Sequence, residues 1–355
     1  MQGEYSLNRG VSMSGIRQMV RKVTIIGAGM MASGIGVQCA RSGLRVSLAD
    51  IKQEALERSA EAVRVILRRL VKSKVLGSQE AEQALENMAW TTNIPEVLQD
   101  TDVVIESIPE VLELKQQVFR QLDELCPKQA LLATNTSSLR ISEIASTTTR
   151  PDSVVGLHWV NPPYLVPRVE VNRGEKTSDE TIRRARSFIL QLRQIPVVTQ
   201  KDVPGFVGAR LRTVLAHEAM NLVEQGVISV EEVDNMVRFG LAIQLLPHGP
   251  LRAMDLMGPK ALCVAQGDFM YSRTGEAKYQ PPQLLREKAE EGELPWMPGE
   301  EKTARGWHDY TGEQPDEVIE RRDMKIAQVV RLLEELGIIE QELQRIGASV
   351  AAETV

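Results

Sequence analysis

From Val23 onward the chain alternates short apolar runs with longer stretches of helical period. Val23 to Ile26 is an apolar run that stops at glycine, as a buried parallel strand does, and Met31 to Arg41 carries a helical pattern closed by Ser42-Gly43. Arg45 to Ala49 reads as a second strand ending at Asp50, and the helix after it sets Leu56, Ala60, Val63, Leu67 and Leu70 on one face. Asp102 to Glu106, Ala130 to Thr134, Val154 to Leu157 and Val169 to Val171 are further strand candidates between helical stretches. This alternation predicts an α/β fold: a Rossmann-type doubly wound sheet, mostly parallel.

The pattern changes after Ile195 to Val198. Pro204-Gly205 breaks the chain, and from Phe206 the apolar positions Leu211, Val214, Leu215, Ala219, Leu222 and Val223 recur at helical spacing until Gly226. Ser229 and Glu232 have the spacing of a capping box. From there to about residue 345 the chain reads as helix and loop, and Gly275 to Gly306, rich in Pro, Gly and charge, reads as a loop. The expected organisation is a flexible tail over 1–20, a sheet domain over 21–200 and an all-helical C-terminal domain over 201–355.

A length of 355 residues suits two domains. The net charge of -6 argues against nucleic acid or an anionic membrane as the main partner, since either calls for a basic excess. Cys39, Cys126 and Cys263 are odd in number and far apart, which fits neither a disulfide framework nor a CxxC site. No metal site is expected, and a reducing cytoplasm is the expected location. No apolar run approaches the roughly 18 residues of a membrane span, and residues 1–20 lack the apolar core of a signal peptide.

The segment VTIIGAGMMASG places GxGxxA between a strand and a helix, with Asp50 at the end of the next strand. In that setting Gly27 permits the tight turn, Gly29 admits a pyrophosphate to the backbone, and Ala32 lets the helix sit close to the strand. Met30 and Met31, in the same turn, are placed with them against the cofactor. A carboxylate at Asp50 accepts from ribose hydroxyls and repels a 2′-phosphate, so the expected cofactor is NAD.

With GAGMMASG, NTSSLRISEIA (135–145), GLHWVNPP (156–163) followed by RVEV, KDVPGFVGARL (201–211) and KTARGWHDY (302–310), the chain resembles the 3-hydroxyacyl-CoA dehydrogenase family. HWVNPP is most similar to a branch that also oxidises free hydroxy acids or ring alcohols. The resemblance implies oxidation of a 3-hydroxyl to a 3-keto group by hydride transfer to NAD+, and a homodimer. It assigns His158 as acid/base, Glu170 as its partner, Ser137 to the substrate oxygen and nicotinamide ribose, and Asn161 to support of the histidine loop. Glu110, Lys115 and Lys302 become cofactor contacts. Chemistry agrees on the histidine: imidazole suits removal of a hydroxyl proton near neutral pH, and a carboxylate stabilises the imidazolium.

Two positions depart from the family pattern. Ala209 stands where members carry an asparagine that holds the substrate oxygen, and Thr213 is one turn further along the same face. Arg168 shares a strand face with Glu170 where an apolar residue is usual, and a guanidinium there would suit a substrate carboxylate. Against this, Arg64, Arg68 and Lys72 recur every four residues on the helix after Asp50, with Arg69 and Lys74 nearby, and a similarly placed basic helix meets CoA phosphates in the family. The expected substrate is therefore an acyl-CoA, with Ser137, Arg168 and Arg68 as binding residues. A free 3-hydroxy acid or ring alcohol is one alternative. An NAD-binding protein with little turnover, suggested by Ala209, is the other.

Overall fold

The computed structural model describes residues 20–257, 260–291 and 306–353. The tail expected over 1–20 lies almost wholly outside them, and so does Lys302. The first half runs β1 (Lys22–Ile26), α1 (Met30–Arg41), β2 (Arg45–Ala49), α2 (Gln53–Lys72), α3 (Ser78–Glu86), β3 (Met88–Thr91), α4 (Ile94–Leu98), β4 (Val103–Glu106), α5 (Leu112–Leu125), β5 (Leu131–Thr134), α6 (Ile141–Ala145), β6 (Val154–Trp159), β7 (Arg168–Arg173), α7 (Asp179–Gln191) and β8 (Ile195–Thr199). The strands form one sheet in the order β3-β2-β1-β4-β5-β6-β7-β8, parallel except for the antiparallel β6–β7 pair.

Helices cover both faces of this sheet, and each face has its own apolar core. One is built on Ile25, Ile35, Leu48, Val63, Ile105, Trp159 and Phe188, the other on Ile26, Val104, Phe119, Leu122, Leu132, Ile141 and Phe206. The strand order reverses between β1 and β4, and in such sheets a crevice opens there at the carboxyl ends of the strands. β3 and β8 are the two edges. β3 has only four residues and gives little pattern to read, whereas β8 carries Pro196, which is tolerated because an edge strand leaves one side of its backbone unpaired.

The second half is helical: α8 (Gly208–Glu224), α9 (Val230–Met236), a π-helical turn at Val237–Leu241, α10 (Ala242–Leu245), α11 (Pro250–Met257), α12 (Lys260–Thr274), α13 (Gln283–Glu290), α14 (Pro315–Glu335) and α15 (Ile338–Glu353). Ser229 caps α9 by accepting from the Glu232 amide at 3.1 Å. The stretch expected as a loop over 275–306 instead contains α13; its Leu285 is buried, and this packing outweighs the local Pro and Gly signals. Two compact units divide between Ala216 and His217, so the break expected near residue 200 falls inside α8. The reason lies in the connection. Asp202 accepts from the Ile141 and Ser142 amides at 3.0 and 2.8 Å, tying the segment to the sheet unit and capping α6. Among the described residues no helix is long and apolar enough to cross a membrane.

Candidate active site

Between β1 and α1 the chain turns at Gly27, whose φ of 103° is left-handed and where a Cβ would meet the Ser107 carbonyl oxygen at 2.5 Å. Only glycine fits. Gly29 is the N-cap of α1, with no side-chain cap and no acidic residue in the first turn, and nothing lies within 4 Å of where its Cβ would be. The helix therefore offers open amide donors and its positive dipole end to an anion. Ala32 is fully buried, as close helix–sheet packing requires, while Met30 is exposed and Met31 half-buried. Asp50 closes β2; one carboxylate oxygen accepts from the Ala28 amide at 3.0 Å and the other from Lys52 at 2.9 Å. The open amides of this turn and the Asp50 carboxylate beside it have the chemistry that suits a dinucleotide.

Further along the same carboxyl edge, Glu110 organises the turn after β5. Its Oε1 accepts from the Thr136 hydroxyl (2.5 Å), the Ser137 and Ser138 amides (both 3.0 Å) and the Ser138 hydroxyl (2.9 Å). Burial pushes the Glu110 pKa up, but the Thr136 bond, the Lys115 charge and the Ser138 bonds outweigh it and bring the pKa down to about 2. Lys115 is fully buried. Its ammonium donates to Glu106 at 2.6 Å and to the Ile108 carbonyl at 3.2 Å, and it lies 3.3 Å from Glu110. Glu106 also accepts from Thr134 at 2.7 Å. Lys115 thus anchors this edge from below, and Ser137 stands exposed above it.

His158 and Glu170 are register partners across β6 and β7, so their side chains share one face of the sheet. His158 Nδ1 is 2.7 Å from Glu170 Oε2. Arg168 Nη1 lies 3.0 Å from the same oxygen but outside hydrogen-bond alignment, so that nitrogen is buried without an acceptor. Glu170 Oε1 accepts from the Val207 and Gly208 amides at 3.2 and 2.7 Å. These amides reach it because Gly205 and Phe206 both adopt left-handed backbone conformations, turning the chain into α8. Phe206 itself is buried, with its ring 5.8 Å from the imidazole. Burial of Glu170 raises its pKa, yet the His158, Gly208 and Arg168 interactions prevail and hold it down to about 2. An ionised carboxylate can only accept, which puts the proton of the neutral imidazole on Nδ1 and leaves Nε2 as the base.

The remaining expected residues are more scattered. Asn161 is exposed just past β6. Ala209 is half-buried in the first turn of α8, and Thr213 is exposed on the same helix. Arg64 and Arg68 stand exposed on α2, both paired with Glu61, at 3.8 and 3.0 Å. The sequence reading missed Asn135, whose Oδ1 accepts from the Trp159 amide at 3.1 Å and ties the Ser137 turn to the histidine strand. It also missed the Val207 and Gly208 amides. NTSS and VPGF were the available signals, but neither says which backbone donor meets which acceptor.

The family model described as 3-hydroxyacyl-CoA dehydrogenase, NAD binding domain, matches residues 22–203, and the C-terminal domain model of the same family matches 205–310. The chain belongs to the 3-hydroxyacyl-CoA dehydrogenase family. Members of this family are NAD-dependent oxidoreductases acting on CH–OH groups, and the cofactor here is NAD. The family models meet near residue 204, earlier than the packing division, because they follow sequence and not contacts.

Among relatives, a 3-hydroxybutyryl-CoA dehydrogenase of Clostridioides difficile is 36% identical over 81% of this chain and 99% of its own length. A 5-formyl-3-hydroxy-2-methylpyridine 4-carboxylate 5-dehydrogenase of Mesorhizobium japonicum is 32% identical over 89% of this chain and 99% of its own. The crystal structure of a 3-hydroxyacyl-CoA dehydrogenase from Archaeoglobus fulgidus superposes with a TM-score of 0.71 at 28% identity, covering 88% of this chain and 99% of that one.

Proposed function

We propose that the protein oxidises the 3-hydroxyl of an L-3-hydroxyacyl-CoA to a 3-keto group, a step of fatty acid metabolism, with His158 as the base. The observation that carries this reading is the His158–Glu170 pair, 2.7 Å apart at the carboxyl edge that also holds the Gly27–Gly29 turn. NAD, when bound, accepts the hydride. His158 Nε2 takes the hydroxyl proton, and Glu170, ionised and fixed by the imidazole and two backbone amides, stabilises the imidazolium that results. Ser137 is proposed to hold the substrate oxygen, Asn161 to support the histidine loop, and the exposed Arg68 on α2 to meet the CoA phosphates. Glu110 sets the Ser137 turn that faces the cofactor.

Support for the thioester over a free acid comes from Arg168. Its guanidinium lies against Glu170, and a Cβ at Gly208 would come within 2.8 Å of Nη2, so it is packed into the dyad rather than extended toward a substrate carboxylate. The test is a matched assay of 3-hydroxybutyryl-CoA against 3-hydroxybutyrate, read by NADH absorbance. The reading requires a higher kcat/KM for the thioester; equal or reversed values would overturn it.

The reading includes a homodimer in the cytoplasm. Leu211, Val214 and Met220 are each more than half exposed on α8, an apolar face that suits a second copy of the chain. The thiols of Cys39 and Cys126 are buried and free, which suits a reducing compartment. Light scattering on the full chain tests the dimer, and a monomeric mass at micromolar concentration would remove it.

A further inference from the structure

The helical unit contains a cavity of about 230 Å³, enclosed by the loop before α11, α11 itself, the turn before α14 and the first half of α14. Its floor is apolar: Leu256, Tyr310 and Val318 are buried and pack together. Its walls are cationic. Arg252 comes from α11, Arg321 and Arg322 from one turn of α14 and Lys325 from the next, against the single carboxylate of Glu313. In a chain with a net charge of -6, this concentration of positive charge runs against the overall balance.

The cations differ in how far they are satisfied. Arg321 pairs with Glu313, and Arg322 donates to the Leu256 carbonyl and meets Asp323. Among the described residues, neither Arg252 nor Lys325 has a carboxylate partner. The Arg252 polar contact is the His308 ring nitrogen at 3.2 Å, and its Nε is buried without an acceptor. At the cavity wall both ring nitrogens of His248 are buried without a hydrogen bond of good geometry, although the Arg322 backbone lies close by. Burial lowers the pKa of His248, and the charges of Lys325 and Arg252 push the same way. A buried nitrogen without a partner is costly, so several of them on residues that line one cavity describe a site built for a partner.

We propose that this cavity is an anion site that takes a phosphate group, either as the free ion or as the end of a phosphomonoester. Four cationic side chains and an imidazole converge on a space several times the ~30 Å³ share of one water, enough for a tetrahedral oxyanion with a short stem or bound waters. Guanidinium groups match the geometry of phosphate oxygens, and Lys325 supplies a point charge. A bound phosphate would neutralise the repulsion between α11 and α14. Arg321, Arg322 and Lys325 lie beyond the stretch matched by the C-terminal family model, which ends at residue 310, whereas His248, Arg252, Leu256 and Tyr310 lie within it.

The experiment is calorimetric titration of the full chain, saturated with NADH so that the dinucleotide cradle is filled, with inorganic phosphate at constant ionic strength. Phenyl phosphate is titrated in parallel, and tighter binding of the one or the other identifies the free ion or the ester as the ligand. Saturable binding is expected, weakened about tenfold in Lys325→Gln and further in Arg252→Gln, with NADH affinity unchanged. Lys325 has no carboxylate partner to lose, so its replacement tests the cavity without breaking a pair. Absence of saturable heat with both ligands, or equal affinity in Lys325→Gln and the parent, would overturn the proposal.

Discussion

Arg168 and His158 meet at one oxygen: the Glu170 Oε2 that lies 2.7 Å from the imidazole also lies 3.0 Å from the guanidinium. The carboxylate therefore divides its charge between a fixed cation and the group that becomes cationic in the reaction. Removing the guanidinium leaves the carboxylate charge undivided beside the imidazole. Arg168→Leu should therefore change kcat/KM for 3-hydroxybutyryl-CoA and for 3-hydroxybutyrate by the same factor. A substrate-carboxylate role would instead raise the KM for 3-hydroxybutyrate far more than for its thioester.

Glu170→Gln should lower kcat by ~10²-fold or more, because the amide can donate to Nδ1 and so favours the wrong imidazole tautomer. NADH affinity, read by fluorescence, should stay near the parent value. A parent-like kcat would remove Glu170 from the mechanism.

The same carboxylate makes the fold sensitive to acid. Its pKa is depressed to about 2, so its contribution to stability is fully present above the unfolded-state value of about 4.3 and is lost as pH falls through 2. Glu170 is 1% exposed, and a shift of this size corresponds to about 3 kcal/mol as an order of magnitude. Glu110 acts in the same window and direction, with a smaller effect because a third of its side chain is exposed and screened. Denaturant unfolding between pH 5 and 2.5 should show a steep loss in the parent and a shallower one in Glu170→Gln. Parallel curves would contradict this account.

Two alanine substitutions in the cofactor turn should part company. Gly27→Ala forces a Cβ against the Ser107 carbonyl at a left-handed position and should cost on the order of 1–3 kcal/mol of stability. Gly29→Ala meets no protein atom, so Tm should hardly move while NADH binding weakens, because the methyl group occupies the space over the turn. Equal losses of Tm in the two variants would mean that the space over Gly29 is not reserved for the cofactor.

Ala209→Asn restores the polar side chain expected at that position of α8. It should raise kcat/KM on 3-hydroxybutyryl-CoA several-fold if the substrate oxygen lies where the dyad implies, corresponding to roughly 1 kcal/mol for one recovered hydrogen bond. A loss of activity would indicate that Ala209 makes room for a bulkier substrate.

How much could be read from the sequence depended on how local the signal was. β1, α1 and Asp50 were legible because a strand, a glycine turn and a helix each leave a short-range mark. His158 and Glu170 were singled out by the motifs GLHWVNPP and RVEV, whereas their pairing across one antiparallel register is seen only in the fold. Lys115 was read as a cofactor contact, since nothing near it in sequence reveals the buried Glu106 that it serves. The left-handed Phe206 was not legible either: a bulky side chain gives no warning of that backbone, which is held by packing in the apolar core around it. The short edge strand β3 and the helix α13 escaped for the same reason, their patterns being weaker than the contacts that hold them.

The segment from Asp202 to Gly208 acts as a spacer of fixed length. One end is pinned to the α6 amides and the other presents two amides to Glu170. Side chains at Val203 or Pro204 can change without moving either end. Inserting or deleting a single residue between them would slide both amides off a buried carboxylate, leaving its Oε1 without a donor beside His158. Natural variation in this connection should therefore be in composition and never in length.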